Sequence, residues 1–381
     1  MKKLVVFAVA LSILYACNDK EQQGQQSEEE TFTGPVIESQ KHNFRVDTLT
    51  ADLKNPWGIA FLPDGRILVT EREGVIRIIK DKELLAETIT VPDVFAHGQG
   101  GLMDIKLHPD YESNGWIYLT YAKKADNGGG TVVARAKLEG NNLTNLEQLF
   151  QAEPTNDSGV HFGSRVVFDG NGYIFFSSGE RGTMENAQNL GNHLGKVLRL
   201  HEDGRVPSDN PFVGQDGAKP EIWSYGHRNP QGVVYDNTTG TLWDIEHGPR
   251  GGDELNRVEK GKNYGWPVIT YGINYDGTPI TDIQEKEGME QPVRYWVPSI
   301  APCGLAKVES DKFPNWKGNL LAGALAHTHV TRIELNDGKY VGEEKLLDKI
   351  GRVRAVEQGP DGYIYVATEQ PGLLVRLVPA D

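Results

Sequence analysis

From residue 56 to its end the chain repeats one pattern: a short apolar run with period-two alternation, a turn carrying Asp or Asn ahead of Gly, and a second apolar run. The copies are "PWGIAFLPDGRILVTE", "GLMDIKLHPDYESNGWIYLTY", "SRVVFDGNGYIFFSSGE", "PQGVVYDNTTGTLWDIEHG", "CGLAKVESDKFPNWKGNLLAGAL" and "VRAVEQGPDGYIYVATE". Each reads as two strands around a turn that needs positive φ at its glycine, a hairpin signal in its own right. Recurrence at roughly 45 to 80 residues is the signature of blades, where each sheet buries its faces against its neighbours. The pattern therefore predicts an all-β, six-bladed β-propeller over residues 41–381, as one domain. A pair of β-sandwich domains satisfies the same hairpin signals, but the even spacing speaks against it. The widest gap holds "GKNYGWPVITYGINYDGTPITD", whose Gly, Asn and Tyr content predicts an elaborated loop over one face.

Composition agrees with the pattern. Forty-four glycines and twenty prolines suit many short strands joined by turns and leave few uninterrupted runs of helix formers. The formal net charge of −14 excludes nucleic acid and anionic lipid as natural partners of the surface and favours a neutral or cationic small molecule.

The first residues differ from the rest. "MKKLVVFAVALSILYAC" has two lysines followed by about thirteen apolar residues, the layout of an export signal and too short for a membrane span. "LYAC" resembles the lipobox of bacterial lipoproteins, so residues 1–17 are expected to be a signal ending at an acylated Cys17, with 18–40 a flexible polar tether to a membrane facing the periplasm or cell surface. A plain secretory signal with a soluble product is the alternative. With Cys17 lipidated, Cys303 has no intramolecular partner for a disulfide, and stability rests on the core.

Five loops carry more chemistry than a hairpin needs. They are "AHGQGGLMD" with Gln99, "SGVHFGSR" with His161, "SYGHRNPQG" with His227, Arg228 and Asn229, "IEHGPRGGDELN" with His247, Arg250, Asp253 and Glu254, and "GRVRAV" with Arg352 and Arg354. Each alone has a plain structural explanation: Gln99 as a turn residue, His161 capping a strand, the arginines as solvated surface charge. Their recurrence at matched positions in different repeats points instead to one common site above the channel, where a rigid scaffold can aim loops at a centre.

Through "GQGGLMDIKLHPD", "EIWSYGHRNPQG", "EHGPRGGDE" and "GKNYGWP" the chain resembles the soluble pyrroloquinoline quinone (PQQ) dependent glucose and aldose sugar dehydrogenases, along most of its length after residue 45. The resemblance implies a six-bladed propeller that oxidises an aldose at C1 to the lactone with PQQ and Ca²⁺, passing electrons to an acceptor of a respiratory chain. It implies His161 as general base, Gln99 as a cofactor ligand, and Arg228 and Asn229 on the quinone oxygens. It also implies Arg352 and Arg354 on the cofactor carboxylates, the carbonyls of Gly248 and Pro249 on the calcium that touches PQQ, and Glu254 with the Tyr264 carbonyl on a second calcium. These roles are chemically coherent: an imidazole can take the hydroxyl proton as hydride leaves, guanidinium and calcium stabilise charge gained by a quinone, and arginine forks suit carboxylates. Two positions depart from the pattern. Ala326, in "GALAHTH", stands where the family has a lysine, with His327 and His329 nearby. Val160 precedes His161 in place of an Asp, so the resemblance leaves the imidazole without an orienting partner. A calcium-dependent lactonase, which would need carboxylates converging on one metal, and a non-catalytic sugar- or protein-binding propeller are the competing readings.

Overall fold

The computed structural model describes Met1, Phe32 and residues 34–380. The signal, Cys17 and the tether up to Thr31 therefore lie outside the described residues. Six four-stranded antiparallel sheets account for the fold. Their first strands are Pro56–Phe61, Leu102–Leu107, Val166–Phe168, Pro230–Asp236, Pro302–Lys307 and Val353–Gln358. These six strands neighbour one another in sequence around a common axis, the last returning to the first. The predicted six-bladed propeller is the observed fold.

Closure comes from the two ends of the chain. The strand Phe44–Thr50 pairs antiparallel with Leu374–Pro379, with Val46 opposite Leu377, and so completes the sixth sheet. Ahead of it Ile37 exchanges backbone hydrogen bonds with Phe44 at 2.7 and 3.0 Å, and Gln40 donates to Glu344 at 2.7 Å, so the chain is already laid against the propeller before residue 41.

Period-two alternation explains why the strands read as nearly continuous apolar runs. Successive side chains point to opposite faces of a sheet, and in a ring of blades both faces are covered. Leu68 faces the second sheet with Leu102 and Ile117, whereas its neighbours Ile67 and Val69 face the sixth with Ala355 and Tyr365. Ile174 and Phe176 pack toward the second sheet, and Phe175 between them packs toward the fourth with Val233 and Leu242. Six apolar clusters fill the six gaps between neighbouring sheets.

The topology also places the site. In each sheet the first strand starts, and the second ends, at the same face of the ring, so two kinds of connection meet there: those entering a first strand and those joining second to third strands. Gln99, His161, Arg228 and Arg352 belong to the first kind; the turn after Ser178, the loop 247–252, Ala326 and Glu369 belong to the second. The excursion between Asp253–Val258 and Arg294–Trp296 is longer than a turn because it climbs back to this face. Asn263 bridges Tyr225 in parallel, and Ile273 bridges Arg250.

Candidate active site

His161 sits in the connection entering the third sheet. Its Nδ1 is 2.8 Å from Oε1 of Glu180, which lies in the turn after the second strand of the same sheet. A carboxylate only accepts, so Glu180 fixes the proton on Nδ1 and leaves the Nε2 lone pair as the ring's basic site. Glu180 is the orienting partner that the sequence did not supply. The His161 N–H donates to Oε1 of Gln99 at 2.9 Å, so Gln99 holds the His161 backbone and keeps its own amide N–H groups for other acceptors. Burial lowers the imidazole below its ordinary range; the Glu180 hydrogen bond opposes this, and the Arg228 charge adds to the lowering.

Arg228 and Asn229 are held from beneath. Their backbone N–H groups donate to Oε2 of Glu246 at 2.6 and 3.2 Å. Arg228 Nη1 donates to the carbonyls of His247 and Gly248, both at 3.0 Å, and the Asn229 amide oxygen accepts from Gly163 at 3.0 Å. What remains is informative: Arg228 Nε and Asn229 Nδ2 are buried donors with no partner among the described residues. Buried donors are rarely left unmade, and these two stand on consecutive residues.

The rest of "SYGHRNPQG" is structural. His227 is fully buried, its Nδ1 3.2 Å from both Asp244 and Glu246 and its ring stacked on Tyr264 at 4.6 Å. Burial opposes protonation, but the two carboxylates raise the imidazole to about 9. His227 is thus a buried cation that neutralises the cluster supporting the loop. Asp253 plays a comparable part for "HGPRGG": it accepts from Gly248 at 2.8 Å, Ile300 at 2.6 Å and Ala301 at 2.9 Å, tying the loop to the start of the fifth sheet.

Glu254 and Tyr264 line one small cavity with Glu246 and Gly248. Burial, then the charge of Glu246, raises the Glu254 carboxyl well above the carboxylate range. A hard divalent ion bound by carboxylate and carbonyl oxygens would offset that burial and repulsion. The residues present therefore fit a calcium ion there. The Gly248 carbonyl, matched to the other calcium, accepts from Arg228.

Arg352 and Arg354 share Glu369. Arg354 gives Nε and Nη2 to its Oε1 at 2.9 and 2.6 Å and Nη1 to Gln231 at 2.9 Å, while Arg352 Nε meets Oε2 at 3.2 Å. The Arg354 side chain is 8 % exposed and that of Arg352 is 40 % exposed, so Arg352 is the one that faces solvent at the mouth. Two guanidinium groups against one carboxylate leave a net positive charge there. Ala326 and His327 are exposed next to it, with Arg352 Nη1 donating to the Leu325 carbonyl at 3.2 Å. His329 is turned inward, its ring bonded to the His327 carbonyl and Thr331 hydroxyl, both at 3.0 Å.

Comparison with known proteins agrees with this geometry. The profile of the Glucose / Sorbosone dehydrogenase family matches residues 53–376. The aldose sugar dehydrogenase YliI of Escherichia coli is 45 % identical, over 88 % of this chain and 92 % of that protein. The crystal structure of the soluble aldose sugar dehydrogenase from Escherichia coli in its apo-form superposes with a TM-score of 0.85 at 43 % identity, over 88 % of this chain and all of that one. The PQQ-bound aldose sugar dehydrogenase of Streptomyces coelicolor superposes with a TM-score of 0.71 at 27 % identity, over 88 % of this chain and 98 % of that one. With its six blades and the gathering of His161, Arg228 and Asn229 at one mouth, the chain belongs to the glucose/sorbosone dehydrogenase family of PQQ-dependent sugar oxidoreductases.

Proposed function

We propose that this protein oxidises an aldose at C1 to the lactone, using PQQ and Ca²⁺, with His161 as the base. The observation that carries the reading is the pair of unpartnered donors, Arg228 Nε and Asn229 Nδ2, buried at the mouth beside a lowered imidazole. Two adjacent donors suit two neighbouring carbonyl oxygens, and the excess charge at Arg352 suits a carboxylate. PQQ bound there would accept the hydride leaving C1, with calcium withdrawing charge from its oxygens. His161 Nε2 takes the proton from the anomeric hydroxyl as the C1–O bond becomes a carbonyl; Glu180 stabilises the imidazolium so formed. Arg228 stabilises negative charge at the mouth without reorganising, because Gly248 and His247 already hold its other nitrogen. Gly248, Pro249, Glu254 and Tyr264 are the proposed calcium ligands, and Gln99, Arg352 and Arg354 complete the cofactor's surroundings.

A lactonase would present carboxylates to the mouth. Of the carboxylates that do converge, Asp244 and Glu246 are turned to His227, and Glu254 shares one small cavity with Glu246 and Arg228. Export and acylation at Cys17, and delivery of electrons to a respiratory acceptor at the membrane, complete the proposal. The test is reconstitution: apoprotein should reduce a dye with an aldose only when both PQQ and Ca²⁺ are present. Equal dye reduction without quinone would overturn the reading.

A further inference from the structure

The base stands on a strained turn. His161, Ser164 and Arg181 all have positive φ, at 54°, 77° and 63°, although none is glycine. Such conformations cost of order 1–3 kcal/mol each and persist only where the surroundings over-determine them. Part of that constraint is steric: a side chain at Gly163 or Gly179 would collide with the backbone of Ser177 or of His161. Another part is one side chain.

Arg181 is 2 % exposed. Its Nε donates to the Val160 carbonyl and its Nη1 to the Gly129 carbonyl, both at 2.9 Å, and Nη2 donates to the Ser158 carbonyl. The guanidinium also lies 3.7 Å over the Phe162 ring. It therefore grips the chain on both sides of His161, at residues 158 and 160 before it and 162 after it, and it anchors that grip to the second sheet through Gly129. Its hydrogen bonds go to carbonyls and not to a carboxylate, so its charge is spent on backbone dipoles. The preceding residue, Glu180, holds the imidazole itself. Two consecutive residues thus fix the backbone and the side chain of the same histidine.

We propose that Arg181 is a positioning residue for the base, clamping residues 158–162 in the left-handed turn that aims His161 into the mouth. The inference rests on the proposed role of His161. A planar fork suits the task because its donors reach three carbonyls set apart along the chain while its flat face lies on the aromatic ring, a combination that a compact ammonium does not offer. The retained positive charge works in the same direction, adding to the lowering of the imidazole.

Two substitutions separate a clamp from a space filler. Arg181→Met keeps contact with Phe162 but loses fork and charge; Arg181→Lys keeps the charge and loses the fork. The clamp predicts that kcat falls about 30- to 100-fold in the Met variant, the usual loss for a reacting group misplaced by about 1 Å, while KM for the aldose and PQQ affinity stay within about threefold. It also predicts that the His161 ring, followed by NMR on histidine-labelled protein, titrates at higher pH in the Met variant and close to wild type in the Lys variant, whose kcat is partly restored. A Met variant with kcat within about threefold of wild type, or one in which KM, PQQ affinity and melting temperature worsen while the histidine titration stays in place, makes Arg181 an ordinary scaffold residue. If the Met variant does not fold, the Lys variant decides through its kcat. If wild-type protein turns over no aldose with PQQ, the proposed function fails, and the histidine titration alone still says whether Arg181 governs His161.

Discussion

Two imidazoles lie at the same face of the propeller, each against a carboxylate, and they end in opposite states. His161 has one carboxylate, Glu180, and stands near the Arg228 and Arg181 charges; burial and these cations hold it below the ordinary histidine range. His227 has two carboxylates, Asp244 and Glu246, which outweigh burial and raise it to about 9. The balance of nearby charge, not burial, separates them, since burial pushes both the same way. In the proposed reading one is a neutral base at the mouth; the other is a cation at neutral pH under the loop. On that reading adjacent blade junctions divide the labour, with chemistry at one and preorganisation at the next.

The sharpest way to break this contrast is to remove the base. His161→Ala should lower kcat by about 10²- to 10⁴-fold, the usual contribution of a positioned base, while PQQ still binds, because the proposed role gives the imidazole a proton to take and no cofactor carboxylate to hold. Single-turnover quinone reduction and PQQ titration on the same sample check both halves. His227→Ala should spare no such separation. It leaves Asp244 and Glu246 buried without their cation, which typically costs about 3–5 kcal/mol, so the melting temperature should fall and PQQ affinity with it as the Arg228 and Asn229 backbones lose their support.

How much of this was legible beforehand follows from the same contrast. The blades were legible because period-two alternation and turn glycines are local signals, and both faces of every sheet are apolar for a reason visible in the strand itself. His161, Arg228 and Asn229 stood out because loops that only turn do not need them. Glu180 did not stand out: in "SSGERG" it looks like part of a turn, and the family resemblance points to position 160, next in sequence, for the orienting acid. The partner instead comes across a hairpin, from the turn that shares a face with His161, and its one sequence signal is an acid in the Gly-Glu-Arg-Gly turn at a matched strand end. The alternation of Arg352 and Arg354 was legible, but not that Glu369 divides them into a buried and an exposed arginine, because that pairing also crosses a hairpin. His227 and Arg228 are adjacent in sequence and both buried, and only their partners tell scaffold from site: both His227 ring nitrogens are taken by Ser224 and the two carboxylates, whereas Arg228 Nε has no partner among the described residues.

A milder perturbation sharpens the contrast through pH. Because the His161 imidazole is lowered, the acid limb of kcat/KM should lie below the ordinary histidine value of about 6.5, with activity lost as pH falls through that limb and the base protonates. Glu180→Gln removes the group that opposes the lowering, so the limb should move to still lower pH, while kcat falls about tenfold as the imidazolium loses its counter-charge. An acid limb that moves upward in this variant would mean that Glu180 does not face the catalytic imidazole.

The smallest expected effect belongs to Ala326. Its exposed position beside Arg352 means that a lysine introduced there meets water as well as whatever anion the mouth receives. An exposed charge pair contributes only about 0.2–1 kcal/mol, so Ala326→Lys should tighten PQQ by about two- to fivefold and leave the melting temperature of the apoprotein within error. Arg352 already places a cation at this point, with Glu369 neutralising only part of the two-arginine charge, which is why the gain is small. The informative partner is Arg352→Ala. If Arg352 does the work that a lysine at 326 would do, the Arg352→Ala protein should bind PQQ more weakly, and adding Ala326→Lys to it should restore more affinity than it adds to wild type. PQQ titrations on the four proteins of that cycle measure the coupling directly. Additive effects would mean that the two positions act on different parts of the ligand, and that the contrast between the chain's alanine and the family's lysine is not compensated by Arg352.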